Sequence, residues 1–246
     1  MYTKLPYEQY FIDTSNDCGN TGKARYKIEY RQIKYQYKGL ECYANYEVHY
    51  EEDRDVIQVN FEQTNEKIDW FVNFMFVEKY YDKFKEGKKW ITLKVHNGWA
   101  AMYKAMKHQV RNAVDYYLEL HPRAEVEIVG WSLGSSQAML CAQDLYHNFG
   151  IRSHLYTYGS VNPFKTNMFN RHKIRKYLRG CCKEVYNFSD LSDIVTYVPF
   201  RFLGFIKFKR INVGTFNFFN LFKPMEYHTH YWKEDLYKKL IKKENN

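Results

Sequence analysis

Long apolar runs and evenly paired cysteines are missing from this chain, and its first residues give no expectation of a leader. Its most apolar stretch, Tyr197 to Phe208, is broken by Arg201 and Lys207, so it falls short of the ~18 consecutive apolar residues that a spanning helix needs. Met1 to Asp13 is polar and aromatic with no basic-then-apolar pattern, which gives no expectation of a secretory signal. The five cysteines, Cys18, Cys42, Cys141, Cys181 and Cys182, are odd in number and lack metal-ligand spacing. They read as reduced thiols of an intracellular, cytoplasmic protein, with a peripheral position at membranes left open. No internal repeat, no flexible linker and no nucleic-acid reading element is recognisable, although 24 tyrosines supply many rings. Specific nucleic-acid binding is therefore not expected.

What remains is the composition of one α/β domain over 1–246: 246 residues at 45% hydrophobic can fill a single core. The net charge of +9 is unevenly placed. Seven basic residues and no acidic one lie between Lys165 and Lys183, and Arg201, Lys207, Lys209 and Arg210 follow. Such a field attracts polyanions, an anionic membrane surface among them.

Residues 1–40 read as a peripheral wrapping with one helical segment. Tyr43 to Tyr50 and Val56 to Phe61 read as strands joined by the turn Glu51–Arg54. A short helix is expected near Lys67 to Phe76 and a strand at Trp90 to His96. From Gly98 to Leu120 the residues Trp99, Met102, Tyr103, Met106, Val110, Ala113, Val114, Tyr117 and Leu118 share one helical face, closed by Pro122. Strands at Glu125–Val129, His154–Tyr158 and Glu184–Phe188 alternate with helices at Ser135–Phe149 and around Thr166–Leu178. This alternation predicts a mostly parallel sheet flanked by helices, with the ligand site beyond the carboxyl ends of the strands. Phe205–Phe208 and Arg210–Phe218 read as a late hairpin, and Trp232–Lys243 as an amphipathic helix.

Gly130-Trp131-Ser132-Leu133-Gly134 joins an apolar strand to a helix, the context in which a nucleophilic serine stands on a tight turn. Glycines on either side keep Cβ atoms out of the corner, and the following helix brings backbone N–H groups toward the reaction centre. A serine needs a base, and the base needs an orienting carboxylate. Asp190 and Asp193 both follow the Glu184–Phe188 strand. His228 and His230 lie downstream of both; His154 and His172 precede them.

Across Val56 to Trp232 the chain resembles the class 3 lipases, the fungal lipase-like branch of the α/β-hydrolases. The matching segments are Val59-Asn60-Phe61-Glu62-Gln63-Thr64 with Asp69-Trp70, Val95-His96-Asn97-Gly98-Trp99, Thr157-Tyr158-Gly159-Ser160-Val161-Asn162-Pro163, and Asp193-Ile194-Val195-Thr196-Tyr197-Val198-Pro199. The resemblance implies an α/β-hydrolase fold with Ser132 as nucleophile, Asp193 as acid ahead of Asp190, and His228 as base ahead of His230. It places oxyanion contacts at Thr64 and the Leu133 N–H, gives His96 a structural role, and puts a small lid within 71–89. Glu62 and Gln63 depart from the family's Arg and Gly beside the oxyanion position, where a charge would oppose the developing oxyanion.

The activity so implied is ester hydrolysis on lipid esters, acylglycerol or phospholipid, with no metal and no organic cofactor. A small-ester or thioester hydrolase and a silent lipid-binding module are the alternatives. Phe200, Phe202, Phe205, Phe216, Phe218, Phe219 and Phe222, rimmed by Arg201, Lys207, Lys209 and Arg210, would suit an anionic lipid interface.

Overall fold

The computed structural model of the chain describes residues 31–61, 78–86, 89–167, 169–199, 203–206, 208–213, 228 and 231. Its main sheet is built from β1 (Arg31–Tyr37), β2 (Leu40–Glu51), β3 (Val56–Phe61), β6 (Glu125–Trp131), β7 (Ser153–Tyr158), β9 (Cys182–Ser189) and β10 (Ile211–Asn212), side by side in that order. β1, β2 and β3 pair antiparallel, whereas every pair from β3 through β6, β7 and β9 to β10 is parallel. A second sheet of β4 (Glu78–Glu86), β5 (Lys89–His96) and β8 (Phe164–Lys165) is antiparallel. The helices are α1 (Asn97–Leu120), α2 (Leu133–Phe149) and α3 (Arg171–Gly180).

The central strands are buried on both faces, as a sheet covered by helices requires. All six residues of β3 and all six of β7 are buried. Trp99, Met102, Tyr103, Met106, Val110 and Val114 of α1 recur at helical spacing, and all are buried. α2 is buried continuously from Leu133 to Leu145, which makes it the helix in the middle of the molecule. Leu93 and Val95 of β5 and Phe164 of β8 belong to the same buried cluster as Ile128 of β6 and Leu140 of α2. The two sheets therefore share one core.

Two polar clusters inside this core are paired. Tyr103 and Arg111 of α1 both donate to the Asp144 carboxylate of α2, at 2.9 Å and 2.6 Å, and so lock the two helices in register. In the central strand β6, Glu127 is completely buried. Arg54 reaches it from the turn before β3 at 2.6 Å, and Gln58 at 3.4 Å. Burial raises the Glu127 pKa, and Arg54 opposes that rise.

Several sequence expectations need correction. Arg31–Tyr37 is not wrapping: it is the edge strand β1, paired residue by residue with β2. α3 starts at Arg171, later than Thr166. Within the 71–89 segment expected to carry a lid, Glu78–Glu86 is a strand laid along β5, while 71–77 and 87–88 lie outside the described residues. The late hairpin is also absent among the described residues, because Ile211–Asn212 joins β9 in parallel and Phe205 bridges Lys165. Phe205 is buried, with Lys165 over its ring at 5.6 Å, and is a core residue, not part of an exposed aromatic surface. The expected segments 1–30, 67–76, 214–218 and 232–243 lie outside the described residues, as do Phe200, Phe202, Phe216, Phe218, Phe219 and Phe222. Among the described residues no helix is long and apolar enough to cross a membrane. Cys42, Cys141, Cys181 and Cys182 are buried and unbridged.

An unpaired buried carboxylate costs far more than the pair it came from contributes. Arg54→Met is expected to lower unfolding stability by about 3 kcal/mol, and Arg54→Met with Glu127→Leu to recover most of that loss. Burial already pulls the Glu127 pKa upward, so the penalty of the single variant shrinks as pH falls and the carboxyl takes up a proton. Urea melts of the three proteins across pH measure both effects.

Candidate active site

β6 delivers Ser132 to the carboxyl end of the sheet, and α2 begins at the next residue. Ser132 has φ 53° and ψ −120°, a backbone state that costs a non-glycine residue about 1–3 kcal/mol and persists only when its surroundings hold it. The restraints are visible. The Ser132 N–H donates to the Tyr158 carbonyl at the end of β7 at 2.9 Å, and the Ser132 carbonyl accepts from the Ser135 N–H at 3.1 Å and from the Ser135 hydroxyl. The turn is so tight that a Cβ on Gly130 would stand 2.4 Å from the Gly134 carbonyl oxygen. Leu133 opens α2, and the first N–H groups of a helix have no carbonyl partner within the helix.

Three side chains far apart in sequence meet over this turn. His228 Nε2 lies 2.5 Å from Ser132 Oγ, and His228 Nδ1 lies 3.0 Å from Asp193 Oδ2. All three residues are almost fully buried. A carboxylate can only accept, so the proton of neutral His228 sits on Nδ1 and Nε2 is left to accept from the serine hydroxyl. The Trp131 ring stacks on the imidazole at 5.5 Å between centroids and 22° between planes.

Asp193 sits just past β9 and caps the short helical turn Ile194–Tyr197, its Oδ1 accepting from the Val195 N–H at 3.0 Å. Its other oxygen takes the His228 bond and a second donor, the hydroxyl of the fully buried Tyr231, at 2.8 Å. That hydroxyl also accepts from the Asp190 N–H at 2.8 Å. Burial, with the nearby Asp193 charge, raises the Tyr231 pKa well above its ordinary value, so the phenol keeps its proton and remains a donor. Asp190 is the candidate that the structure does not bring to the histidine: its Oδ1 accepts from the Ser192 N–H at 2.7 Å and shapes the turn.

The other sequence candidates fall elsewhere. His154, near the start of β7, is held between Glu125 at 2.6 Å and Glu184 at 3.2 Å, at the opposite end of the strands from Ser132. His96 is buried against Trp99 at 4.2 Å, and burial followed by the Lys38 charge holds its pKa down to about 3. It is a neutral packing residue, and its backbone N–H donates to the Pro163 carbonyl at 3.0 Å. Thr64, Glu62, Gln63 and His230 lie outside the described residues.

Four contributors to the site escape sequence reasoning. Tyr231 is one tyrosine of 24, and only its position three residues after His228, one helical turn away, hints at its role. Gly159 has φ 57°, and a Cβ there would lie 2.8 Å from the Tyr231 ring and 3.1 Å from both the Asp193 carboxylate and the His228 ring. Glycine is thus required twice over, for backbone and for space. The Ser135 hydroxyl, besides holding the Ser132 carbonyl, accepts from the Val161 N–H at 3.3 Å. Arg210, which sequence alone puts on a basic rim, instead lies over the Tyr197 ring at 4.8 Å. Burial brings its pKa down to about 10 against the pull of Tyr197, Tyr231 and Asp193. Among the described residues no group of His, Cys, Asp and Glu could hold a metal ion.

The fold has close counterparts. A native propeptide complex of Rhizomucor miehei lipase superposes with a TM-score of 0.62 at 20% identity, covering 84% of this chain and 66% of that one. A mono- and diacylglycerol lipase from Aspergillus oryzae gives 0.59 at 16% identity, covering 75% and 64%, and another fungal lipase 0.60 at 17%, covering 71% and 60%. At these identities the likeness shows the α/β-hydrolase fold. The chain spans 60%, 52% and 62% of the length of three of the solved structures it matches. No curated protein sequence matches it. The family model for class 3 lipases, however, matches residues 58–203, more than half of the chain and inclusive of the elbow, the Gly159 turn and the Asp193 loop. The chain belongs to the class 3 lipase family.

Proposed function

We propose that this chain is a serine carboxylic-ester hydrolase that acts on lipid esters, acylglycerol or phospholipid, through an acyl-enzyme on Ser132. The observation that carries the reading is the continuous buried hydrogen-bond chain from Ser132 Oγ through His228 to Asp193. Ser132 Oγ attacks the ester carbonyl carbon while its proton passes to His228 Nε2. The imidazolium so formed is stabilised by Asp193 and gives the proton to the departing alcohol. Water then attacks the acyl-enzyme by the same route, which frees the carboxylic acid and returns the proton to Ser132.

Negative charge gathers on the carbonyl oxygen in both steps. We assign its stabilisation to the Leu133 N–H at the start of α2, with Thr64 as second donor; one such donor contributes about 3 kcal/mol. Glu62 and Gln63, beside Thr64 in sequence, favour a narrower substrate range than the family's Arg-Gly pair at that place. No step calls for a metal or an organic cofactor.

A fluorophosphonate probe tests this reading. The intact chain should label at Ser132, and Ser132→Ala should not. Asp193→Asn should lose roughly ten-thousandfold in kcat, whereas Asp190→Asn should keep most of it. Labelling of Ser132→Ala, or equal losses in the two aspartate variants, contradicts the assignment. Hydrolysis of tributyrin and of phospholipid vesicles then separates acylglycerol from phospholipid substrates, and turnover of soluble short-chain esters alone would favour the small-ester reading.

Tyr231 acts through Asp193 and is a positioning residue. Tyr231→Phe removes one donor from a buried carboxylate and should lower kcat roughly ten- to hundredfold with KM nearly unchanged, while circular dichroism stays native. Gly159→Ala should lose about 1–2 kcal/mol of stability from its left-handed backbone, and with it most of the activity, since the new methyl pushes on all three members of the Tyr231–Asp193–His228 cluster.

A further inference from the structure

A concavity lies away from the proposed catalytic residues. It has a volume of about 780 Å³, and α3 forms one wall with His172, Arg175, Lys176 and Arg179. Arg152 from the approach to β7, Lys183 from the start of β9 and Lys209 from the segment before β10 complete its polar lining, over an apolar floor of Leu178, Ile206 and Phe208. None of the described residues that line it is acidic, and none is Ser132, Asp193 or His228. Arg152 and Lys183 sit at the amino ends of their strands, whereas Ser132 sits beyond the carboxyl end of β6. Among the described residues, Arg152 donates to the Cys182 carbonyl at 2.8 Å, and Lys183 meets Glu125 at 2.6 Å.

α3 bears a cost for this arrangement. Its sequence, Arg171 to Gly180, holds five Lys or Arg residues and no acid. Arg171 with Arg175, and Arg175 with Arg179, are like charges one turn apart, and each such pair costs an isolated helix a few tenths of a kcal/mol. Arg171 and Lys173 also stand in the first turn, where the helix dipole disfavours cations. Ile174 and Leu178 hold the helix against the core, but packing explains only that buried face. Converging cations on the other face, in a concavity the size of a small-molecule site, are what a ligand with several clustered negative charges would satisfy. A flat basic stripe would suit a long polyanion; a walled concavity suits a compact one.

We propose that this concavity is a binding site for a ligand carrying clustered phosphate groups, presented either by the headgroup of a phosphorylated membrane lipid or by a free polyphosphorylated small molecule. Phe169, 92% exposed two residues before α3, is placed to enter a bilayer surface when the phosphates belong to a lipid. Lys176 and Arg179 supply exposed wall charges. The ligand binds the folded chain and not the unfolded one, so it stabilises the fold.

The test uses the full chain with Ser132→Ala, so that its outcome is independent of ester hydrolysis. Binding is measured to phosphatidylcholine vesicles, to the same vesicles carrying phosphatidylinositol bisphosphate, and to soluble inositol hexakisphosphate, with thermal melts alongside. The expected result is binding to phosphorylated ligands alone, weakening as salt rises, with a higher melting temperature in their presence. Lys176→Gln with Arg179→Gln should weaken it on the order of tenfold, and the control pair Lys104→Gln with Arg123→Gln should leave it unchanged. Preference for vesicles, lost with Phe169→Ser, assigns the lipid source; equal binding of the soluble compound assigns the free one. Equal losses in both variant pairs, no binding to either ligand, or tighter binding to single-stranded RNA than to both overturns the proposal.

Discussion

A negative charge kept in a dry place governs the architecture around it. Asp193 is completely buried, and a buried carboxylate left unpaired costs several kcal/mol. The chain meets that cost with fixed donors: the Val195 N–H on one oxygen, and His228 and Tyr231 on the other. Arg210 adds a nearby positive charge. Once the carboxylate is satisfied in this way, the imidazole has one orientation, and its free nitrogen falls on Ser132 Oγ. Gly159 is small because anything larger would push this cluster apart, and Tyr231 ties the acid's loop to the histidine's segment by bonding to both Asp193 and the Asp190 backbone.

Much of this was legible in the sequence because the elbow is a local object. Two glycines, a serine and the strand-to-helix context lie within a few residues, and steric crowding at Gly130 leaves few alternatives. The parallel core was legible for a related reason: strands buried on both faces must be apolar runs, and helices packed on them must show a stripe, as α1 does. Asp193 against Asp190 was less so, because both stand just past β9 and are buried, and only the family resemblance ranked them before the geometry brought Asp193 to His228. Tyr231 and Arg210 were hidden for the opposite reason to the elbow: aromatic and basic residues are so common here that neither stands out.

The misread elements share a cause as well. Aromatic alternation around Phe205 fits a hairpin and a buried connection equally, and the isolated bridge to Lys165 settles it as a connection. Glu78–Glu86 mixes aromatic and charged residues without clean alternation, so its strand pairing with β5 was not legible. Glu127 breaks the apolar reading of a central strand, and its partner Arg54 comes from a turn more than 70 residues away. Pairings over that distance leave no local trace in composition or periodicity.

Charge is also divided between the two ends of the sheet. The carboxyl end carries a serine, an imidazole and a sheltered carboxylate; the amino end, through Arg152, Lys183 and α3, carries a concentration of cations. The proposed ester hydrolysis rests on the first of these. A crystal structure of the chain reacted with an alkylphosphonate ester tests it directly: phosphorus should be bonded to Ser132 Oγ, with a phosphonyl oxygen within hydrogen-bond reach of the Leu133 N–H and His228 still on Asp193. An unmodified Ser132, or an adduct whose oxygen points away from the start of α2, would contradict it.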